Sequence, residues 1–215
     1  MIINILAGGP EELLPDLTAY QESDAIWVGV DRGVFHLIRR NIIPSKAFGD
    51  FDSVTQEELS AIEDQVTGIK KYKPEKDETD MELALNWAVE QKPESIRLFG
   101  ATGGRLDHLL ANVHLLLTPI KANNPVNVYI IDQKNIVFIK EPGHYTIEKM
   151  ASKKYISFVP LTLDVTELTL DGFKYPLKNR HISLGSTLCI SNELIDDYGT
   201  FSFSKGILIV IRSND

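Results

Sequence analysis

The stretch 49–53, Gly-Asp-Phe-Asp-Ser, carries the residues in this chain that are best suited to chemistry. Its carboxylates, Asp50 and Asp52, stand two positions apart, so an extended backbone would project both to one side while Phe51 points into the core. Such a pair could share a divalent cation, with Ser53 capping the helix that follows. The same residues also suit a polar loop that ends in a helix cap, and this stretch alone leaves both interpretations open.

A second pair of carboxylates opens a helix that we predict over 81–91. Asp77 and Asp80 fall at its N-terminus, where Thr79 and Glu82 have the spacing of a capping box. Acidic residues are favoured at that end by the helix dipole. Taken alone, the pair therefore fits dipole partners better than metal ligands.

The segment 100–108, Gly-Ala-Thr-Gly-Gly-Arg-Leu-Asp-His, lies between an apolar run and an apolar helical pattern. The backbone N–H groups around Gly103 and Gly104, together with the guanidinium of Arg105, would suit the anionic oxygens of a phosphate. The chain contains no Walker A sequence, so a kinase-like activity would need another architecture.

Asp31-Arg32-Gly33 follows the apolar run 25–30 and precedes a helical pattern through Val34. A carboxylate at this place in an α/β fold often meets a ribose or a metal. It can equally act only as the helix cap.

These four loops require a fold that brings them together. Apolar runs that alternate with helical patterns predict a parallel, Rossmann-like sheet in the first half, with strands at 2–7, 25–30, 69–72 and 96–99. The carboxyl ends of parallel strands meet at one edge, where ligands bind. We therefore expect the four loops to converge there.

The pattern changes after Pro119. Two β-type runs, 126–131 and 135–139, flank a short connection as hairpin strands would. Short strands are then predicted at 145–147, 155–160, 165–170, 187–191, 200–204 and 207–211. We expect an α/β domain over 1–122, followed by an antiparallel β-sandwich over 123–215.

Composition narrows the range of partners. The net charge is −8, which argues against a nucleic-acid partner. The single cysteine, Cys189, allows no intrachain disulfide and favours a reducing compartment, the cytoplasm. The N-terminal residues suit a buried strand rather than a signal peptide, and no apolar run is long enough to span a membrane.

Three motifs in order resemble the thiamine pyrophosphokinase family: Gly-Asp-Phe-Asp-Ser at 49–53, Asp-x-Thr-Asp at 77–80 and Gly-x-x-Gly-Gly-Arg-x-Asp-His at 100–108. The resemblance continues to a Ser-Asn-Glu signature at 191–193. One departure is Val-Asp-Arg-Gly at 30–33, where the family commonly has Ala-Asp-Gly-Gly. Arg32 therefore changes the geometry expected of that loop.

The resemblance implies transfer of a pyrophosphoryl group from ATP to the hydroxyethyl oxygen of thiamine, which releases AMP. It implies Mg²⁺ as cofactor, with ligands from Asp50, Asp52, Asp80 and, as a further candidate, Asp77. The implied catalytic residues are Asp50, Asp52, Asp80 and Arg105. The residues implied on the ATP side are Asp31, Gly33, Thr79, Gly103, Gly104, Arg105, Asp107 and His108. Asp107 and His108 could equally orient Arg105 or the glycine loop.

The family resemblance also implies a homodimer. One subunit's β-domain would then cover the other subunit's nucleotide site, so that Ser191, Asn192 and Glu193 contact thiamine in trans. From the residues alone, this tripeptide is simply a turn after a strand.

Two alternatives remain open from the sequence. In an Asp-x-Asp phosphatase, Asp50 would be a nucleophile and Asp52 a general acid. Against this, no apolar strand is predicted to run directly into Asp50, and no lysine is evidently placed for the site. The other alternative is a nucleotide- or thiamine-sensing protein that binds without turnover, which the intact carboxylates disfavour.

Overall fold

The computed structural model describes residues 1–51, 55, 57, 58, 60, 70, 71 and 77–215. The chain divides into two compact units, Met1–Gln133 and Lys134–Asp215. Each has its own architecture. None of the helices described is long and apolar enough to cross a membrane.

The first unit is built on a parallel sheet with the strand order β6-β5-β1-β2-β3-β4. Its strands are β1 (Ile2–Leu6), β2 (Ala25–Val30), β3 (Lys46–Gly49), β4 (Lys70–Lys71), β5 (Ser95–Phe99) and β6 (Asn127–Ile131). Successive β1 residues Ile5 and Leu6 are both fully buried, as expected for a strand covered on both faces. The predicted parallel α/β fold is confirmed.

Four α-helices are described in this unit: α1 (Arg32–Ile38), α2 (Asp80–Glu90), α3 (Leu106–Leu115) and α4 (Thr118–Lys121). Short 3-10 turns occupy Glu11–Leu13 and Leu17–Tyr20. The buried residues of α2 recur at helical spacing: Met81, Ala84, Leu85, Ala88 and Val89. This apolar stripe determines which side of the helix packs toward the sheet. Asp80 is the first residue of the same helix.

The boundary between the units differs from the expected division at 122/123. Strand β6 pairs in parallel with β5, from Asn127 opposite Ser95 to Ile131 opposite Phe99. It therefore belongs to the first unit and not to the β-rich half. The sequence shows only an apolar run there, and such a run does not reveal whether its partner is parallel or antiparallel.

The second unit contains two antiparallel groups of strands, ordered β12-β9-β14-β7 and β11-β10-β13-β8. They are β7 (Asn135–Lys140), β8 (Gly143–Glu148), β9 (Tyr155–Pro160), β10 (Asp164–Asp171), β11 (Leu177–Ser183), β12 (Asn192–Glu193), β13 (Tyr198–Phe203) and β14 (Leu208–Ser213). One apolar core joins the two groups, and Phe158 from the first packs 5.0 Å from Phe201 of the second, centroid to centroid. The predicted β-sandwich is confirmed.

One strand prediction in this unit was wrong, and one strand was not predicted. The stretch 187–191 forms turns and not a strand, because its apolar residues Leu188 and Ile190 are exposed rather than packed. Strand β11 was missed, because most of Leu177–Ser183 is polar and exposed and shows no apolar alternation. Among the strands that the structure describes, its one partner is β10, as expected for an edge strand.

Candidate active site

The carboxyl edge of the parallel sheet brings the loop after β1 against the loop after β5. The N–H of Ala7 donates to the carbonyl of Phe99 at 2.9 Å, and the N–H of Gly9 donates to the carbonyl of Gly100 at 3.0 Å. A Cβ on Gly100 would lie 2.3 Å from the oxygen of Ala7, and the φ of Gly100 is +61°. Only glycine fits this contact, so its place in the 100–108 motif has a steric cause.

Asp31 lies beside the end of β3. Its N–H donates to the carbonyl of Phe48 at 2.9 Å, and its Oδ1 is 2.1 Å from the point where a Cβ on Gly49 would stand. Asp31 is the N-cap residue of α1: its carbonyl accepts from the N–H of Val34 at 3.1 Å, whereas its side chain makes no capping hydrogen bond to the helix. Its φ of 49° is unusual for a residue with a side chain. The structure thus brings Asp31 to the Gly49-Asp50 turn, and this convergence is confirmed.

The backbone at Asp50 is not extended as expected. Gly49 has φ +145° and Phe51 has φ +60°, so the chain turns sharply on both sides of Asp50. Phe51 does point into the core, at 4% exposure against Val34 and Ala47. The expected same-side projection rested on extended geometry and loses that basis, because the left-handed conformation at Phe51 breaks the strand alternation. Asp50 itself is half-buried.

Two predicted residues of this motif, Asp52 and Ser53, lie outside the described residues. The described cap of the following turn is Thr55. Its Oγ1 accepts from the N–H of Glu58 at 3.3 Å, and Glu58 Oε2 accepts from the N–H of Thr55 at 3.0 Å. This reciprocal pair is a capping box.

Glu58 was missed as a site residue because it resembles an ordinary acidic residue in a first helical turn. Its other oxygen, Oε1, pairs with the guanidinium of Arg32 at 2.9 Å. The Thr55 N–H is the largest cause of a lowered pKa at Glu58, and Arg32 lowers it further. Glu58 is therefore held as a carboxylate directly beside α1.

The 77–80 motif is placed by α2. Thr79 caps the helix, its Oγ1 accepting from the N–H of Glu82 at 3.1 Å. Asp80 begins the helix and is half-buried, whereas Asp77 is exposed. The helix packs against β3 through Trp87, whose ring centroid is 6.1 Å from that of Phe48.

A magnesium site would draw on the carboxylates of these loops. Among the residues that the structure describes, no group of three or more His, Cys, Asp or Glu side chains could hold a metal. The candidate donors are carboxylate oxygens, which suit Mg²⁺, and that ion commonly takes one or two carboxylates with phosphate and water completing its shell. The donor chemistry of Asp50 and Asp80 therefore fits Mg²⁺.

The glycine-rich loop presents Arg105 at the start of α3. Gly103 and Gly104 both have positive φ, at +77° and +64°. Arg105 binds Asp107 through Nε at 3.1 Å and through its terminal nitrogen at 2.6 Å, and Asp107 also accepts from the N–H of His108 at 2.9 Å. The Arg105 hydrogen bond is the main reason that the pKa of Asp107 is lowered. Asp107 is therefore in direct contact with Arg105, as a role in orienting the arginine would require.

Two hydrogen bonds that hold this loop in place were not predicted from the sequence. Thr102 donates from Oγ1 to Oδ2 of the buried Asp132 at 2.8 Å, and buried Asn112 donates from Nδ2 to the carbonyl of Ala101 at 2.9 Å. Asp132 directly follows β6, just as Asp31 directly follows β2. That position was the available signal, but the residue was assigned to a hairpin connection.

In the second unit, the side-chain amide of Asn192 forms hydrogen bonds with backbone groups. It is 2% exposed; its Oδ1 accepts from the N–H groups of Tyr175 and Glu193 at 3.0 and 2.9 Å, and its Nδ2 donates to the carbonyl of Tyr175 at 2.9 Å. These bonds tie β12 to the chain before β11.

The neighbours of Asn192 are more accessible. Ser191 is exposed and has φ +56°. Glu193 pairs with Lys174 at 3.0 Å and Lys154 at 3.3 Å, and the Lys174 hydrogen bond is the main cause of a lowered pKa at Glu193. The tripeptide thus combines a structural amide with two polar groups at the surface.

Comparison with known proteins adds a second line of observation. Residues 17–130 match the family described as thiamin pyrophosphokinase, catalytic domain, and residues 144–208 match thiamin pyrophosphokinase, vitamin B1 binding domain. A curated relative, the thiamine pyrophosphokinase of Bacillus subtilis, is 54% identical over 213 residues, which are 99% of either chain.

Solved structures agree with this match. The crystal structure of thiamine pyrophosphokinase from Bacillus subtilis has a TM-score of 0.95 at 54% identity and covers 100% of both chains. That of thiamin pyrophosphokinase from Geobacillus thermodenitrificans has a TM-score of 0.91 at 54% identity, covering 100% of this chain and 98% of the other.

Proposed function

This chain belongs to the thiamine pyrophosphokinase family, and we propose that it transfers a pyrophosphoryl group from ATP to the hydroxyethyl oxygen of thiamine. The products are thiamine diphosphate and AMP. The observation that carries the proposal is 54% identity to a thiamine pyrophosphokinase along nearly the whole chain. The loops gathered at the carboxyl edge of the sheet support it.

In the proposed reaction, the hydroxyl oxygen of thiamine bonds to the β-phosphorus of ATP. The bond from that phosphorus to the oxygen bridging the α-phosphorus breaks, AMP leaves with the electron pair, and the hydroxyl proton passes to water. A bound Mg²⁺ would offset the negative charge of the triphosphate. Its proposed holders are Asp50, Asp52 and Asp80, with Asp77 as a further candidate.

The ATP side of the proposed site is the glycine-rich loop with the turn after β2. Arg105 would bind phosphate as a planar fork held in place by Asp107. Gly104 leaves the backbone open to a close approach, since nothing lies within 4 Å of a Cβ placed on it, whereas a Cβ on Gly103 would lie 2.4 Å from Leu13 Cδ1, so that Gly103 lets the loop pack closely. We also assign four further residues to the ATP side of the site: Asp31, Gly33, Thr79 and His108.

The thiamine side is assigned to the second unit, where Ser191, Asn192 and Glu193 fall inside the segment that matches a vitamin B1 binding domain. We propose that they act across a homodimer, on the partner's nucleotide site. In support, this unit exposes several large apolar side chains, which would suit an interface. They are Leu163, Tyr175, Leu184, Leu188, Ile190, Ile195 and Tyr198. The buried free thiol of Cys189 suits the proposed cytoplasmic setting.

One sequence-based argument against the phosphatase alternative does not hold. Strand β3 ends at Gly49 and so runs directly into Asp50, contrary to the sequence-based objection. The family assignment now opposes it, and no observation favours either a phosphatase or a binding-only sensor.

The test is AMP formation with and without thiamine, in the presence of Mg²⁺ and ATP. We expect AMP only with thiamine, and in equal amount to thiamine diphosphate. Asp50→Asn should abolish it, whereas Asp24→Asn, a matched change that only breaks an ion pair with the N-terminal ammonium, should not. Release of free phosphate without thiamine would support the phosphatase, and binding of both substrates without any product would support the sensor.

A further inference from the structure

Arg32 occupies a place where the family pattern has glycine, and its contacts in this chain give it a function. Its guanidinium is 2.9 Å from Glu58 Oε1. The Arg32 side chain is 48% exposed, whereas that of Glu58 is 10% exposed. The arginine therefore reaches from the start of α1 to a carboxylate that is nearly withdrawn from water.

Glu58 is fixed from two directions. One oxygen pairs with Arg32, and the other accepts from the N–H of Thr55 while the Thr55 hydroxyl accepts from the N–H of Glu58. A capping box normally ties only a helix end to itself. Here the ion pair joins that helix end to α1.

The residue before Arg32 holds the other end of the same segment. Asp31 donates its N–H to Phe48 at 2.9 Å, and its carboxylate fills the space beside Gly49. Asp31 and Arg32 thus contact the entry and the exit of segment 49–58. Asp50 lies between these two contacts, next to the left-handed Phe51.

We propose that Arg32 is a positioning residue: by pairing with Glu58 it clamps the exit of segment 49–58 onto α1, and so holds Asp50 in place for its ligand. Contacts on both sides of Asp50, at Gly49 and at Glu58, restrict the conformations open to it. An unusual backbone conformation such as that of Phe51 persists only where its surroundings over-determine it. The clamp supplies that constraint.

A direct role for Arg32 as a phosphate ligand would leave different traces. In that case Glu58 would be incidental, and removing Arg32 would mainly raise the KM for ATP. In the clamp, Arg32 and Glu58 act as one unit, so their substitutions are coupled. Loss of the clamp disturbs the geometry of Asp50 and so lowers kcat.

The experiment compares Arg32→Gln, Glu58→Gln, the double variant and Arg32→Lys in the full-length protein. Glu58→Gln keeps an oxygen for the Thr55 cap, so it removes the charge without removing the cap. The matched control is Arg97→Gln, because Arg97 pairs with Glu22 at a similar 2.8 Å, next to the start of β2 rather than its carboxyl end. Two readouts are used: backbone hydrogen exchange in peptides spanning 49–58 without ligands, and separate kcat and KM values.

For Arg32→Gln we expect exchange in 49–58 to rise and kcat to fall by about 10- to 100-fold, with the KM for ATP changed less than about twofold. Glu58→Gln should have a smaller effect, the double variant should be no worse than Arg32→Gln, and Arg32→Lys should restore part of the loss. Arg97→Gln should leave exchange in 49–58 unchanged.

Unchanged exchange in Arg32→Gln, additive losses in the double variant, or an effect confined to the KM for ATP would each overturn the clamp. The expected change in kcat rests on the proposed function, whereas the exchange readout does not. If the wild-type chain made no AMP with thiamine, the proposed function would fail while exchange in 49–58 still decided the clamp.

Discussion

Replacing Asn192 with alanine should destabilise the second unit, whatever its effect on thiamine binding. The change removes three hydrogen bonds, two accepted by Oδ1 and one donated by Nδ2, around a side chain that is 2% exposed. Each such bond contributes about 1 kcal/mol, and a backbone group left without a partner away from water costs more. The Tyr175 and Glu193 backbone groups are only part-buried, so we expect a loss of about 3 kcal/mol.

For a chain of this size, that loss lowers the midpoint of thermal unfolding by about 6 to 12 °C. The assay is thermal and urea unfolding of Asn192→Ala beside Glu193→Gln. Glu193 bonds to exposed lysines, so its variant should unfold close to the wild type. An unchanged midpoint in Asn192→Ala together with lost activity would refute this reasoning, because it would place the amide on a ligand rather than on the Tyr175 backbone.

Three further predictions follow from single contacts. Arg105→Lys should raise the KM for ATP about tenfold, because a lysine cannot form the planar fork; an unchanged KM and kcat would place the phosphate site elsewhere. Gly33→Ala should cost about 3 kcal/mol in urea unfolding, because its Cβ would lie 2.0 Å from the Leu6 oxygen. A Cβ on Gly185 would meet open space, but its φ is +87°, so Gly185→Ala should cost about 1 kcal/mol. Equal losses of stability in Gly33→Ala and Gly185→Ala would contradict the steric argument. Burial lowers the pKa of His36 below its usual 6.5. Near and below that pH the folded protein binds fewer protons than the unfolded chain, so its stability falls as the pH is lowered below 6.5. His36→Asn should make the unfolding midpoint depend less on pH between about pH 7.5 and pH 5.5, and an unchanged dependence on pH would contradict this.

The sequence predicted those elements that show strong periodicity. Strands β2 and β9 have the predicted bounds, and α2 begins within one residue of its prediction, because apolar runs and helical stripes report burial directly. β11 and the parallel pairing of β6 with β5 were not predictable in this way. An exposed edge strand carries no apolar alternation, and pairing direction is a tertiary property.

The candidate site followed the same division. The motifs of Asp31, Asp50 and Arg105 could be found from residue type and position after a strand. Their supports were not found, because Glu58 looks like an ordinary surface residue until the chain folds around it, and Asp132, although it follows a strand, was assigned to a hairpin connection. The turn at Asp50 also escaped prediction, since a left-handed aromatic residue has no sequence signature.

The most direct test of the proposed reaction is to follow ATP labelled at its β-phosphorus. Attack at that atom predicts that the label leaves the nucleotide and appears in thiamine diphosphate, with one AMP formed for each labelled product. Label retained in ADP beside thiamine monophosphate, or released as free phosphate without thiamine, would contradict pyrophosphoryl transfer by this chain.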